Sequence, residues 1–131
     1  MQSTRVELHF DRGSCFVKEV YVNGAGPFCF ILSTDTTKTS MDKELAAKLG
    51  LEVEEAGKGF GLGGEVTVKR AKLKSLKLGE LEVRDLDVLV VDLSAVAKRL
   101  QMEVHGVVGN DLLRKLKAVV DVGRGELRLR Q

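Results

Sequence analysis

Most of the sequence alternates between apolar and polar residues with a period of two, the pattern of a β-strand with one buried face. In the first such segment Val6, Leu8 and Phe10 share one face, with Arg5, Glu7 and His9 on the other. Phe28–Leu32 is continuously apolar, which predicts a strand covered on both faces. The remaining predicted strands are Phe16–Val22, Val66–Leu78, a stretch with Leu81, Val83 and Val88–Val91, Val104–Val108, Lys117–Val122 and Glu126–Leu129.

Three short segments change to a helical period, at residues 42–49, 94–100 and 110–116. In the first, Asp42 is expected to cap the free amides and Gly50 to end the helix. Asp92 or Ser94 is the expected cap of the second. Many short strands with a few short helices and no linker predict an all-β fold, a barrel formed by one domain over residues 1–131.

Composition narrows the classes of function. Twenty-one basic and nineteen acidic residues leave a net charge of +2, and there is one Tyr and no Trp. A near-neutral chain with few aromatic rings favours neither a nucleic-acid partner nor a charged membrane surface. No apolar run reaches the roughly 18 residues of a membrane span, and the first residues show no signal-peptide core. A soluble protein is expected; the sequence does not specify its compartment, and cytoplasmic is only the default.

The candidate metal ligands and bases are few. Cys15 and Cys29 fit no metal spacing and lie too far apart on one predicted hairpin to form a disulfide, so no cofactor or metal is expected. His9 and His105 lack a nearby third ligand and are interpreted as structural. The lysines of the 66–78 strand are interpreted as its solvated face.

Three segments, in this order, carry a resemblance to a known family. The first is an apolar strand, Phe28–Leu32, followed by the polar loop Ser33–Ser40 and a helix with Glu-Leu-Ala-Ala-Lys-Leu-Gly-Leu. The second is the glycine-rich stretch around Gly61–Gly64, about 30 residues after the loop. It is not a phosphate-binding loop, because no Gly-Lys-Ser/Thr follows. The third is Val-Val-Gly-Asn-Asp-Leu-Leu at residues 107–113.

Together these segments resemble the retropepsin-like aspartic proteases over nearly the whole chain, from about Val6 to Leu129. The resemblance implies a homodimer in which each chain supplies half of the active site and the chain termini add strands to the interface. It implies a flap that binds an extended peptide or polypeptide segment, here Phe60, Gly61, Leu62, Gly63 and Gly64. It also implies that Val107, Val108 and Gly109 support the catalytic loop, with glycine permitting close backbone approach.

The catalytic triplet departs from the family pattern. Aligned without a gap, Ser33 takes the position of the catalytic aspartate, Thr34 that of the following threonine, and Asp35 that of the glycine. This alignment keeps Glu44–Ala47 at the family's distance from the loop, whereas placing Asp35 at the catalytic position would delete two residues.

This departure bears directly on whether the site can catalyse peptide hydrolysis. Aspartic proteases use two carboxylates that share a proton, one activating water and the other protonating the carbonyl oxygen. A serine hydroxyl cannot do this without an adjacent base. We therefore expect a catalytically silent or impaired, dimeric peptide-binding domain. An active endopeptidase using Asp35 from each chain is the alternative, and an unrelated small β-barrel is a third possibility.

Overall fold

A computed structural model describes residues 2–61 and 64–131. The strands are β1 Ser3–Glu7, β2 His9–Asp11, β3 Ser14–Val22, β4 Ala25–Leu32, β5 Ser40–Asp42, β6 Val53–Gly61, β7 Gly64–Leu78, β8 Leu81–Val91, β9 Gly106–Val108, β10 Val119–Asp121 and β11 Glu126–Arg130. The helices are α1 Lys43–Lys48, α2 Ser94–Leu100 and α3 Asn110–Lys115. No helix in the described part of the chain is long and apolar enough to span a membrane.

The strands form two sheets of different size. Eight strands follow the order β2-β3-β4-β9-β5-β8-β7-β6, and a further pairing of β3 with β7 joins the sheet into a ring. The smaller sheet has the order β1-β11-β10, so that the two ends of the chain pair with each other. The predicted mostly-β barrel with three short helices is confirmed.

The helices lie where the sequence predicts them, but two caps differ. Leu93, and neither Asp92 nor Ser94, is the N-cap of α2, although Asp92 Oδ1 accepts a hydrogen bond from the Ser94 amide at 2.9 Å. Gly50 ends α1 with a φ of +66°, a conformation that glycine adopts without strain. The Asp42 carboxylate makes no capping hydrogen bond to α1, so its predicted role is wrong. It accepts a hydrogen bond from the Leu93 amide at 2.9 Å, which connects the start of α1 to the segment after β8.

The first predicted strand is two strands. Val6 lies on β1 in the small sheet and Phe10 on β2 in the large sheet, with Leu8 between them. The Leu8 amide donates to the Gly125 carbonyl oxygen at 2.8 Å, at the point where the chain passes between the sheets. Val6 and Leu8 are buried, whereas Phe10 is 53% exposed because β2 is an edge strand paired only with β3.

Two apolar clusters hold the elements together. The larger fills the ring and reaches the small sheet through Val6, Leu127 and Leu129, while the smaller packs Phe16 against residues of α2 and its flanks. Cys15 and Cys29 are free and half-buried. Burial raises the pKa of both thiols, and Lys18 partly offsets this for Cys29.

Candidate functional site

The apolar strand β4 lies in the middle of the large sheet. It pairs antiparallel with β3 and parallel with β9, with Phe30 opposite Gly106 and Leu32 opposite Val108. The pairing continues one residue further, because the Ser33 amide donates to the Val108 carbonyl oxygen at 3.0 Å. Ser33 is therefore fixed at the carboxyl end of β4.

Gly109 brings the chain after β9 against the loop after β4. A Cβ at this position would lie 2.7 Å from the Lys38 carbonyl carbon and 2.9 Å from the Thr39 amide nitrogen. Real Cβ atoms do not come this close to backbone, so only glycine allows the contact. A glycine that permits such a close backbone approach is what the resemblance implies at position 109.

A buried polar network fastens the same two segments. Thr39 is fully buried, and both its amide and its hydroxyl donate to Asp111 Oδ1, at 2.9 and 2.8 Å. The Gly109 amide in turn donates to Thr39 Oγ1 at 3.0 Å. Sequence reasoning did not single out Thr39 or Asp111. A Thr in a polar loop and an Asp before two leucines are common on surfaces, so no local signal distinguishes them.

Replacing Thr39 by valine should therefore lower the free energy of unfolding by about 2 kcal/mol, because valine fills the space but leaves the buried Gly109 amide without an acceptor. Thr39→Ser keeps the hydroxyl and loses only a methyl group, so it should cost about 1 kcal/mol. Urea denaturation of both variants checks this. Equal losses for valine and serine would contradict the role given to the hydroxyl.

The tip of the loop is exposed. Thr34 and Asp35 form a turn with both side chains in solvent. The Ser33 and Thr36 hydroxyl oxygens lie 2.8 Å apart in a hydrogen bond, and Asn110 Nδ2 donates to the Thr34 carbonyl oxygen at 2.6 Å. The chain thus presents one carboxylate on the turn, that of Asp35, two residues after Ser33.

Neither histidine is placed to activate Ser33. His105 precedes β9 and accepts a hydrogen bond from the Cys29 amide at Nδ1, 3.1 Å away, with its ring packed against Phe28. Because β4 and β9 run parallel, His105 lies level with Cys29 at the opposite end of the strand pair from Ser33, about 13 Å away for four residues of strand. His9 faces Phe16 on β3, with Glu7 at 3.9 Å.

The predicted peptide-binding stretch lies where β6 meets β7. These strands pair antiparallel, with Phe60 opposite Glu65 and Gly61 opposite Gly64, as expected for a hairpin centred on the glycines. Leu62 and Gly63 lie outside the described residues. Within residues 2–61 and 64–131, no group of three His, Cys, Asp or Glu side chains could hold a metal ion.

The sequence matches the aspartyl protease family over residues 18–112, which runs from β3 to α3 and includes both the loop after β4 and Gly109. The chain belongs to the aspartyl protease family. No curated protein is significantly similar to it.

Solved structures agree on the retropepsin-like fold. A retropepsin-like aspartic protease from Rickettsia conorii superposes with a TM-score of 0.69 at 19% identity, covering 98% of this chain and 99% of that one. EIAV protease in complex with an inhibitor gives 0.59 at 18% identity, covering 86% and 94%. The retroviral protease-like domain of a Leishmania major protein gives 0.60 at 15% identity, covering 84% and 83%.

Proposed function

We propose that this retropepsin-like chain is a catalytically silent or strongly impaired member of its family that dimerises to form a peptide-binding cleft. One observation carries the proposal. The loop after β4 is held by the Gly109 contact and the Thr39–Asp111 network, and the residue at the end of the strand is Ser33. We assign Ser33 to the position of the catalytic aspartate, with Thr34 and Asp35 as the rest of the triplet.

The chemistry of the loop supports a loss of activity. Hydrolysis by this family needs two carboxylates close enough to share one proton and one water. The Ser33 hydroxyl is bonded to Thr36, and no histidine in the described part of the chain stands beside it. Asp35 is the nearest carboxylate along the chain, but it projects from the turn. Displacement of a catalytic carboxylate by about one ångström costs on the order of a hundredfold in rate.

Dimerisation and peptide binding follow from the same loop. One chain supplies one loop, so a symmetric pair of loops requires a second copy on a two-fold axis. The Thr34 side chain is exposed and free to contact its counterpart. An extended peptide would then lie between the loops and the two β6–β7 hairpins, bonding to the backbone of Phe60–Gly64 as an added strand. Val107, Val108 and Gly109 act as structural supports of the loop.

The alternative is an active endopeptidase that uses Asp35 from each chain. The exposure of Asp35 favours it, because two exposed carboxylates can meet at a two-fold axis without displacing other side chains. The position after β4 argues against this alternative, because the residue that the Gly109 contact and the Thr39–Asp111 network hold in place is Ser33, which carries no carboxylate.

Digestion of an unfolded protein substrate between about pH 4 and 7 decides between the two. We expect no cleavage by the unmodified chain above that of an Asp35→Ala variant, with or without an inhibitor that mimics the transition state of aspartic proteases. Cleavage that is inhibitor-sensitive and abolished by Asp35→Ala would overturn the silent assignment and establish Asp35 as catalytic.

A further inference from the structure

A cavity lies at the end of the β4–β9 strand pair that is remote from Ser33. Its volume is about 300 Å³, and residues from β4, α1, α2 and the segment before β9 line it. Its floor is apolar, because Leu45, Leu93 and Val104 line the cavity and are buried. One chain supplies all of these residues, so the cavity needs neither the loop after β4 nor a second copy of the chain.

Two aromatic rings form one side of this cavity. Phe28 on β4 and His105 before β9 both line it, with ring centroids 5.1 Å apart and ring planes at 54°. The His105 ring is neutral with its hydrogen on Nε2, because Nδ1 accepts the Cys29 amide at 3.1 Å. A cation over the face of a Phe ring is attracted by the ring's quadrupole. The neutral imidazole beside that ring does not repel a cation as an imidazolium would.

The rim of the cavity carries more carboxylates than cations. Asp42, Glu44 and Glu103 line it, and Lys48 is the lysine or arginine among the described lining residues. In the described part of the chain, Asp42 and Glu44 have no cationic nitrogen within 4 Å. Glu103 has the neutral His105 ring at 3.6 Å. The carboxylates of the rim are therefore not neutralised within the chain, and they attract a cation from outside it.

We propose that this cavity binds an arginine side chain of a partner polypeptide. The aliphatic stem of the arginine lies on the apolar floor, and the guanidinium lies against the Phe28 ring and donates to Glu44 and Glu103. Arginine fits these features better than lysine does. Its guanidinium is planar, stacks on aromatic faces, is more weakly hydrated than an ammonium and carries five donors that can reach two carboxylates at once.

Other occupants fit the cavity less well. A free amino acid would bring its own carboxylate against Asp42, Glu44 and Glu103, whereas within a polypeptide that group is an uncharged amide. An anionic ligand is repelled by the same three side chains. A metal ion finds no group of three His, Cys, Asp or Glu ligands among residues 2–61 and 64–131. The volume is also at the lower limit of ligand sites, which is enough for one side chain.

Titration of the isotope-labelled chain with short peptides, followed by NMR of its backbone amides, tests the proposal. The peptides are acetyl-Gly-Arg-Gly-amide and two counterparts with lysine or citrulline at the centre; citrulline replaces the guanidinium by an uncharged urea. A single side chain gives an affinity on the order of millimolar, which such a titration measures. We expect amide shifts at residues 28–29, 44–48, 93–97 and 103–105. The arginine peptide should bind at least about fivefold more tightly than the citrulline peptide, because charge-assisted hydrogen bonds are the stronger ones.

Substitutions on the rim should change the affinity for the arginine peptide in both directions. Glu44→Gln and Glu103→Gln should each weaken binding about threefold, as expected for exposed charge pairs. Lys48→Met keeps an aliphatic stem, removes the competing cation and should tighten binding about threefold. Glu19→Gln is the matched control, because it removes the same charge from an exposed position on β3 that does not line the cavity. It should leave the affinity unchanged.

Several results would overturn the proposal: no amide shift at the cavity, tighter binding of the lysine peptide, or equal binding of the arginine and citrulline peptides. Weaker binding by Lys48→Met, or a double variant Glu44→Gln/Glu103→Gln that binds as Glu19→Gln does, would do so as well. Shifts confined to residues 33–37 would place the peptide at the loop after β4 and would also contradict it. Shifts at the cavity support it whether or not the chain dimerises or cleaves peptides, so the outcome is independent of the function proposed above.

Discussion

The double variant Ser33→Asp/Asp35→Gly is expected to gain peptidase activity at least about a hundredfold above the unmodified chain, the lower end of what general acid–base catalysis supplies. The support of the loop is already present, since the Ser33 amide, Gly109 and the Thr39–Asp111 network fix the end of β4. Thr36 Oγ1, 2.8 Å from Ser33 Oγ, is also placed to donate to a carboxylate at position 33. Only the groups that must share a proton are missing.

The single variants separate the two changes. Ser33→Asp alone should gain less, because Asp35 then adds two negative charges beside the new pair and disturbs its shared titration. Asp35→Gly alone should gain nothing, since it leaves no carboxylate in the loop. Cleavage of an unfolded substrate at several pH values, with circular dichroism to show that each variant folds, makes the comparison. A folded double variant no more active than Asp35→Gly would contradict the assignment of Ser33 to the catalytic position.

The sequence was sufficient to predict the parts of the fold that depend on local pattern. The period-two runs, the continuously apolar β4 and the stop at Gly50 each follow from neighbouring residues, and the structure confirms them. The split of the first strand could not be predicted, because Val6, Leu8 and Phe10 alternate without interruption. Only the bond from Leu8 to Gly125, far along the chain, moves the backbone from one sheet to the other.

The site shows the same division. The spacing of Ser33, Thr34 and Asp35 to the strand before and the helix after them predicts that they form the catalytic triplet; the structure has them directly after β4, and their catalytic assignment stays a prediction. The role of Asp111 in holding the loop could not be predicted. In the sequence Asp111 resembles Asp42, because each is an acidic residue at the start of a short helix. One bonds to the Leu93 amide and the other to the buried Thr39, choices set by long-range packing.

Gly109→Ala should lower the free energy of unfolding by about 3 kcal/mol. The backbone at Gly109 has a φ of −101°, a conformation that alanine also adopts, so the cost comes from contact alone. The new methyl group would meet the carbonyl group of Lys38, with its carbon at 2.7 Å and its oxygen at 2.8 Å. Backbone cannot rotate away as a side chain can, so the loop must move.

Gly123→Ala is the matched control, because its Cβ would have only one neighbour within 4 Å, Asp121 Oδ1 at 3.6 Å, in ordinary contact. It should change the free energy of unfolding by less than about 0.5 kcal/mol. Urea denaturation measures both variants, and amide hydrogen exchange locates the effect. Displacement of the loop breaks the hydrogen bond that the Gly109 amide donates to Thr39 and the two that Thr39 donates to Asp111. The loss of protection in Gly109→Ala should therefore centre on residues 36–40 and 108–112. Equal stability of the two variants would show that the loop moves away from a side chain at position 109 at little cost in free energy. Glycine would then not be required for this packing.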